Sequence, residues 1–379
     1  MREVVIVEAV RAPVGKRNGT LSAMLPVHLA AHVLRALVDR AQIDPALIED
    51  VIFGCVTPLG EQGANITRLA VLQAGWPAEV PAVTLNRMCG SGQQAVHFAA
   101  QAIAAGDMDV VVAGGIEVMS RVALGSDWPS QWPPDFPYPL VHQGLSAELI
   151  AEQWGLTREQ LDRYAFDSHV KAAAATERGD FAREIIPIHV PQLDGSTIVL
   201  NFDEGIRFEP NLDKMGQLQP AFKPDGVITA GNASQISDGC AAILLMSLEK
   251  AIALGLKPRA RFAARSVVGS DPVSMLTGPI PATRKVLDRS GLTIDQIATI
   301  EINEAFASVV LAWEKEIESD PARVNPNGGA IAHGHPLGAT GAVLLTKLLH
   351  CLGRSGGRYG LQTMCIGHGM ATATIIERL

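Results

Sequence analysis

The chain has 379 residues, 47% of them hydrophobic, enough to bury a core of two or three domains' size. Only 18% are charged, aromatics are scarce and there are 36 glycines, a mixture that excludes a disordered chain and favours a tightly packed α/β protein. A net charge of −8 with no basic block excludes an extended nucleic-acid surface, but leaves room for a local cationic pocket for a small phosphorylated ligand.

Strand and helix patterns alternate through the first third. Residues 4–10 read as a strand, 27–41 as an amphipathic helix, 50–55 as a strand, 65–76 as a helix and 82–85 as a short strand. Ala95, Val96, Phe98, Ala99 and Ile103 recur at helical spacing across 92–105, and Gly106 ends the pattern. "DMDVVVAGGIEVMS" follows as a continuous apolar strand ending in a glycine pair. Such strands, alternating with helices, predict a mainly parallel sheet covered on both faces. The opening "MREVVIVEAVRAP" has neither the apolar core nor the cleavage site of a signal peptide, and no apolar run reaches bilayer length. A cytoplasmic protein with no membrane partner is expected.

From about residue 121 to 223 the character changes. "GSDWPSQWPPDFPYPLVHQG" is too irregular for a sheet core; helices are expected over 146–154 and 158–177 and an extended stretch around 185–199. The α/β rhythm resumes at "GCAAILLMSLEKAIALG". The last region repeats the order of the first: a strand over 297–302, a glycine-rich turn and helix over 334–350, and a strand over 359–365. Three units follow: an N-terminal half over 1–120, completed by about 238–258; an inserted segment over 121–237; and a C-terminal half over 259–379.

Five cysteines, odd in number and without a C-x-x-C pair, indicate neither a disulfide framework nor a zinc site. Cys55, Cys240 and Cys351 read as small packing residues. Cys89, in "NRMCGSGQQA", stands at a helix start, where unpaired N–H groups and the helix dipole favour a thiolate and small neighbours admit an electrophile. An ordinary buried cysteine fits the same pattern. His335, in "AHGHPLGATGA", is the best-placed base, although His333 and His335 also read as turn residues or as half of a metal site. Cys365 ends a strand in "TMCIGHGM". Asn303 and Glu304 follow a strand directly, where sites assemble in α/β sheets, but Glu304 equally suits a helix cap.

Together "VEAVRAPVGK", "NRMCGSGQQA", "AGGIEVMS", "TAGNASQISDG", "NEAFA", "GGAIAHGHPLGATGA" and "CIGHGM" resemble the thiolase family, in order and spacing, over essentially the whole chain. The resemblance implies two similar α/β halves stacked as a five-layer αβαβα sandwich, an inserted loop domain that binds coenzyme A, and homodimers or homotetramers. It implies Cys89 as the acylated nucleophile, His335 as its base, and Cys365 as the residue that moves a proton at the substrate's α carbon. Asn303 would hold a water in one oxyanion hole with the His335 ring, and the N–H groups of Cys89 and Gly367 would form the other. Ser234 would meet the pantetheine arm, Arg207 the nucleotide end, and His142 the tunnel wall. Coenzyme A and acyl-CoA are then substrates, with no permanently bound cofactor and no metal.

The implied reaction is thiolytic cleavage of a 3-ketoacyl-CoA, reversible as a Claisen condensation. Synthesis of acetoacetyl-CoA is the alternative, and a ketosynthase or a non-catalytic acyl-CoA binder stand further off. His368 replaces a usual glycine, which raises the expectation that it narrows or polarises the pocket beside Cys365, or that its side chain points away. His333 replaces a usual aliphatic residue.

Overall fold

The computed structural model describes residues 2–191 and 195–379, so positions 192–194 of the expected extended stretch lie outside the described residues. Nine strands run in one continuous path, with Gly15–Lys16 added beside Ser237–Ser247. Across the first half the spatial order is Ala82–Leu85, Asp50–Gly54, Val110–Val118, Ser237–Ser247, Val4–Arg11. Across the second it is Ile297–Ile302, Tyr359–Ile366, Met370–Arg378, Ala260–Gly269, with Val324 bridging in parallel to Ile300 where the first half has its edge strand. The two orders match strand for strand. The halves meet where their first strands pair antiparallel, Val5 opposite Arg261 and Ile6 opposite Ala260.

The sheet is mixed, which corrects the expectation of a mainly parallel one. Asp50–Gly54 pairs in parallel with both neighbours, and Ile297–Ile302 with Tyr359–Ile366, but the remaining strand pairs of the main path are antiparallel. Continuous apolar strands report helices on both faces, and strand direction leaves no mark on that pattern.

Alternation along the strands shows the layers. Val112 and Leu244 turn towards Leu29, Leu34 and Leu37 of the outer helix Pro26–Ala41. Their neighbours Val111 and Ile243 face the central helices Ser91–Ala105 and Leu337–Ser355. In the second half Leu361 and Ile375 meet Val286 and Trp313 of the helices Pro279–Ser290 and Ala307–Ile317. Helix, sheet, helix pair, sheet and helix make five layers.

The central helices approach closely because glycines line their contact. A Cβ on Gly341 would fall 2.1 Å from the Gln93 nitrogen, and one on Gly115 would fall 2.0 Å from the Gly338 carbonyl oxygen. The glycine pair of the apolar strand is thus where the Leu337–Ser355 helix rests.

Between Val110–Val118 and Ser237–Ser247 the chain leaves the sheet. It forms the helices Gln143–Gln153 and Arg158–Glu177, the latter opened by a reciprocal Thr157–Gln160 capping box, and the hairpin Ile188–Pro191 with Thr197–Leu200. Residues 119–142 carry no helix or strand. No helix among the described residues is long and apolar enough to cross a membrane.

Candidate active site

The first helix of the central pair is Ser91–Ala105, with Gly90 as its N-cap, so Cys89 sits one residue ahead of the cap. A tight turn holds it there: Asn86 Oδ1 accepts the Met88 N–H at 2.7 Å, and Met88 takes a left-handed φ of 47°. Cys89 is 4% exposed, and the N–H groups of Gly367 and of Cys89 itself act to favour its charged form. Burial nevertheless prevails and pushes the thiol up to about 11. The expected resting thiolate is therefore a thiol: helix-end donors are too weak to offset the loss of water around a buried charge.

His335 stands at the matching turn of the second half, after Gly334 (φ 109°) and just before the helix Leu337–Ser355. Its N–H lies 3.2 Å from both Ser237 Oγ and the Gln235 carbonyl. The ring tautomer follows from the network. Thr340 Oγ1 donates to the Pro336 carbonyl (2.9 Å), so it can only accept from His335 Nδ1–H at 2.7 Å. Nε2 keeps its lone pair. Burial pushes the imidazole down to about 4, leaving it neutral at ordinary pH.

Asn303 joins this base to the second thiol. Following strand Ile297–Ile302, it sends its Nδ2 to 3.5 Å from His335 Nε2 and 4.0 Å from Cys365 Sγ, while its buried Oδ1 has no partner among the described residues. Cys365, 1% exposed on Tyr359–Ile366, is pushed up to about 12 by burial and then by the neighbouring Cys89 sulfur. Two thiols, one neutral imidazole and one carboxamide thus converge from both halves.

Cys89, His335 and Leu337 line a cavity of about 750 Å³ whose other walls include Phe222, Phe306, Ser234 and His142. His142 stacks on Phe222 (ring centroids 5.1 Å apart) while its Nδ1 accepts the Gly144 N–H. Arg207 does not line this cavity. It is exposed, on a segment fixed by its N–H donating to His169 Nδ1. Lys16 and Arg17, both exposed, bring positive charge to the cavity instead. Their signal in the sequence was the pair of cations directly after Gly15 in "VGKRNG".

Three other expectations resolve differently. Glu304 neither faces the cavity nor caps the helix after it: its carboxylate accepts from Tyr164, Ser168, Asn325 Nδ2 and the Ile331 N–H, fixing the short helix Ala330–His333 that precedes His335. His333 is no metal ligand, since Nδ1 meets Asp203 at 2.7 Å and Nε2 the Asn327 carbonyl at 2.8 Å. Asp203 is itself held by Arg11 at 2.7 and 3.0 Å, in a buried cluster that ties the first strand to this turn. His368 turns to Trp128 and Trp132, at 6.3 and 6.1 Å between ring centroids, and its side chain lines a separate small cavity.

Glu117, which the residue pattern did not single out, is fully buried and has no cation against it among the described residues. It accepts from the N–H groups of Val56, Thr57 and Gly338 and from Gln62 Nε2, so it pins the first turn of the His335 helix to the Cys89 half. An acid at the end of the apolar run "VVVAGGIE" was its only mark.

Comparison with known proteins agrees with this arrangement. The family model "Thiolase, N-terminal domain" matches residues 4–132 and 135–249, and "Thiolase, C-terminal domain" matches 256–378. The chain is 51% identical to the steroid 3-ketoacyl-CoA thiolase FadA6 of Mycobacterium tuberculosis, over all of this chain and 95% of that protein. It is 43% identical to a beta-ketoadipyl-CoA thiolase of Acinetobacter baylyi, over the full length of both. The crystal structure of the Bacillus anthracis acetyl-CoA acetyltransferase superposes with a TM-score of 0.93 at 40% identity, covering 100% of this chain and 99% of that one. The chain belongs to the thiolase family, acyltransferases that cleave 3-ketoacyl-CoA with coenzyme A.

Proposed function

We propose that Cys89, His335, Asn303, Cys365 and the Gly367 N–H carry thiolysis in the following roles. His335 Nε2 takes the Cys89 proton as the sulfur attacks the C3 carbonyl of a 3-ketoacyl-CoA, and the oxyanion forms against the N–H groups of Cys89 and Gly367. The C2–C3 bond then breaks. The electron pair goes to the acetyl-CoA enolate, whose oxygen faces Asn303 Nδ2 and the His335 side, and Cys365 gives its proton to C2. In the second half Cys365 recovers a proton from the thiol of coenzyme A. That sulfur attacks the acyl-Cys89 thioester, and Cys89 leaves with the proton held by His335. Neutral resting groups suit this scheme, because charge appears only where donors already stand.

The single observation that carries the reading is that Asn303 Nδ2 links His335 Nε2 to the Cys365 thiol, beside which the Cys89 sulfur stands, with Cys89 and His335 lining one cavity. Ser234, Phe222 and His142, all in the 121–237 segment, are the walls for the pantetheine arm, and Lys16 and Arg17 are placed for its phosphates. The substrate is a 3-ketoacyl-CoA with a longer, branched or ring-bearing acyl part, which the 51% identity to a steroid thiolase favours over condensation of two acetyl-CoA. The test is thiolysis of a panel of 3-ketoacyl-CoAs, with acetyl-CoA and the shortened acyl-CoA as expected products; a protein that binds them all and cleaves none refutes the assignment.

Two further properties fit. Strand Ala82–Leu85 has an open edge, and Val83, Leu69 and Leu72 beside it are exposed, so a second copy is the natural cover and a homodimer or homotetramer follows. Five free, buried cysteines suit a reducing, cytoplasmic setting. Light scattering on the purified protein checks the first of these.

A further inference from the structure

We propose that the small cavity bounded by Trp128, Trp132, Leu140, Val141, Met275 and His368 is the subsite for a ring at the near end of the acyl group, with His368 its specificity determinant. The proposal rests on the thiolase reading above and deepens it by naming the substrate class. Three independent observations carry it.

The first is position. The small cavity shares Trp128, His142 and Gln143 with the main one. Gly367, whose N–H favours a charged Cys89 sulfur, has Gln143 Nε2 2.9 Å from where a Cβ would stand, and the next residue is His368. A carbonyl carbon bonded to Cys89, with its oxygen at that N–H, has two other directions to fill. The departing acetyl-CoA leads back along Ser234 and Phe222. The remaining substituent therefore points past Gly367 to the tryptophans.

The second is size and chemistry. The cavity measures about 130 Å³, and an apolar protein cavity on the order of 150 Å³ is large enough for benzene. One six-membered ring fits, and anything beyond it passes out between the two tryptophans, which are 43% and 44% exposed. Rings stack on such walls in offset or edge-on geometry.

The third is backbone conformation. His368 holds a φ of 63° in the left-handed region, beside Gly369 at 76°. A glycine there relaxes the chain, whereas histidine carries strain that its surroundings must offset. From this backbone position the imidazole lies against both indoles and lines the cavity. Because glycine suits the backbone, His368→Gly removes the ring without endangering the fold.

The experiment compares kcat/KM for thiolysis of benzoylacetyl-CoA and acetoacetyl-CoA in the wild type, His368→Gly and Trp132→Ala. The wild type is expected to cleave both, and the ratio of benzoylacetyl-CoA to acetoacetyl-CoA is expected to fall about tenfold in each variant. A ratio that changes less than threefold in either variant overturns the subsite, as does a wild type that cleaves acetoacetyl-CoA alone. Failure on acetoacetyl-CoA together with absence of acyl-Cys89 overturns instead the thiolase reading beneath it.

Discussion

The two halves share a strand order and a helix-start turn, yet they contribute unequally to the site. The first half supplies Cys89 and, through Glu117, the anchor for its partner's helix. The second supplies His335, Asn303 and Cys365 from three neighbouring elements. Their sheets also meet the central helices differently. Gly115 lets the Leu337–Ser355 helix rest directly on the first sheet. The second sheet engages the Ser91–Ala105 helix through side chains instead, with Gln93 Nε2 donating to Thr374 Oγ1 and Gln93 Oε1 accepting from Thr372, both at 2.7 Å. A repeated fold thus provides two facing turns, and the proposed chemistry arises from what differs between them: a thiol on one, a neutral imidazole on the other.

The largest effect should come from removing the element that only the first half provides. Cys89→Ser should lower turnover by on the order of 10⁴-fold or more, read by product formation. Asn303→Ala tests the second half's donor and should cost about 10²–10³-fold in kcat with the fold intact by circular dichroism. Glu117→Leu tests the tie between halves. It leaves three buried N–H groups without their acceptor, so chemical denaturation should show a loss of several kcal/mol, at about 1–3 kcal/mol per unpaired group. A change under about 1 kcal/mol would show that the halves do not depend on this contact.

pH acts on both halves at once. His97, His169, His335 and His350 are each pushed down by burial, to about 3, 4, 4 and 3. Below the free value of about 6.5 the unfolded chain binds protons that the folded chain refuses. Stability is therefore fully present above that pH and declines as pH falls towards 4, each histidine adding a slope approaching about 1.4 kcal/mol per unit. Denaturation midpoints between pH 7 and 4 measure it. Between pH 11 and 7, iodoacetamide should alkylate Cys89 ever more slowly as pH falls; a rate plateau at neutral pH would indicate a preformed thiolate–imidazolium pair.

Legibility in the sequence follows the range of the forces involved. The edge strand Ala82–Leu85 and the helix Arg158–Glu177 fall where their local patterns place them, because periodicity and capping act over a few residues. Strand direction did not show, since burial on both faces produces the same apolar run either way. The four side chains at the site were legible from short motifs, and the structure brings them together. Their protonation was not, because it depends on how much water the packed halves exclude, which no motif records. Glu304 fits neither of its two sequence readings for a related reason: an acid after a strand has many three-dimensional destinations. His368 stood out as an unusual residue, but only the placement of Trp128 and Trp132 shows which way it turns.

The most direct test of the shared site is a peptide mass map after exposure to acetyl-CoA. An acetyl group on Cys89 is expected in the wild type and in Cys365→Ser, with much slower labelling in His335→Ala. Acetylation mapped to another residue, or labelling of Cys89 that ignores His335, would contradict the account.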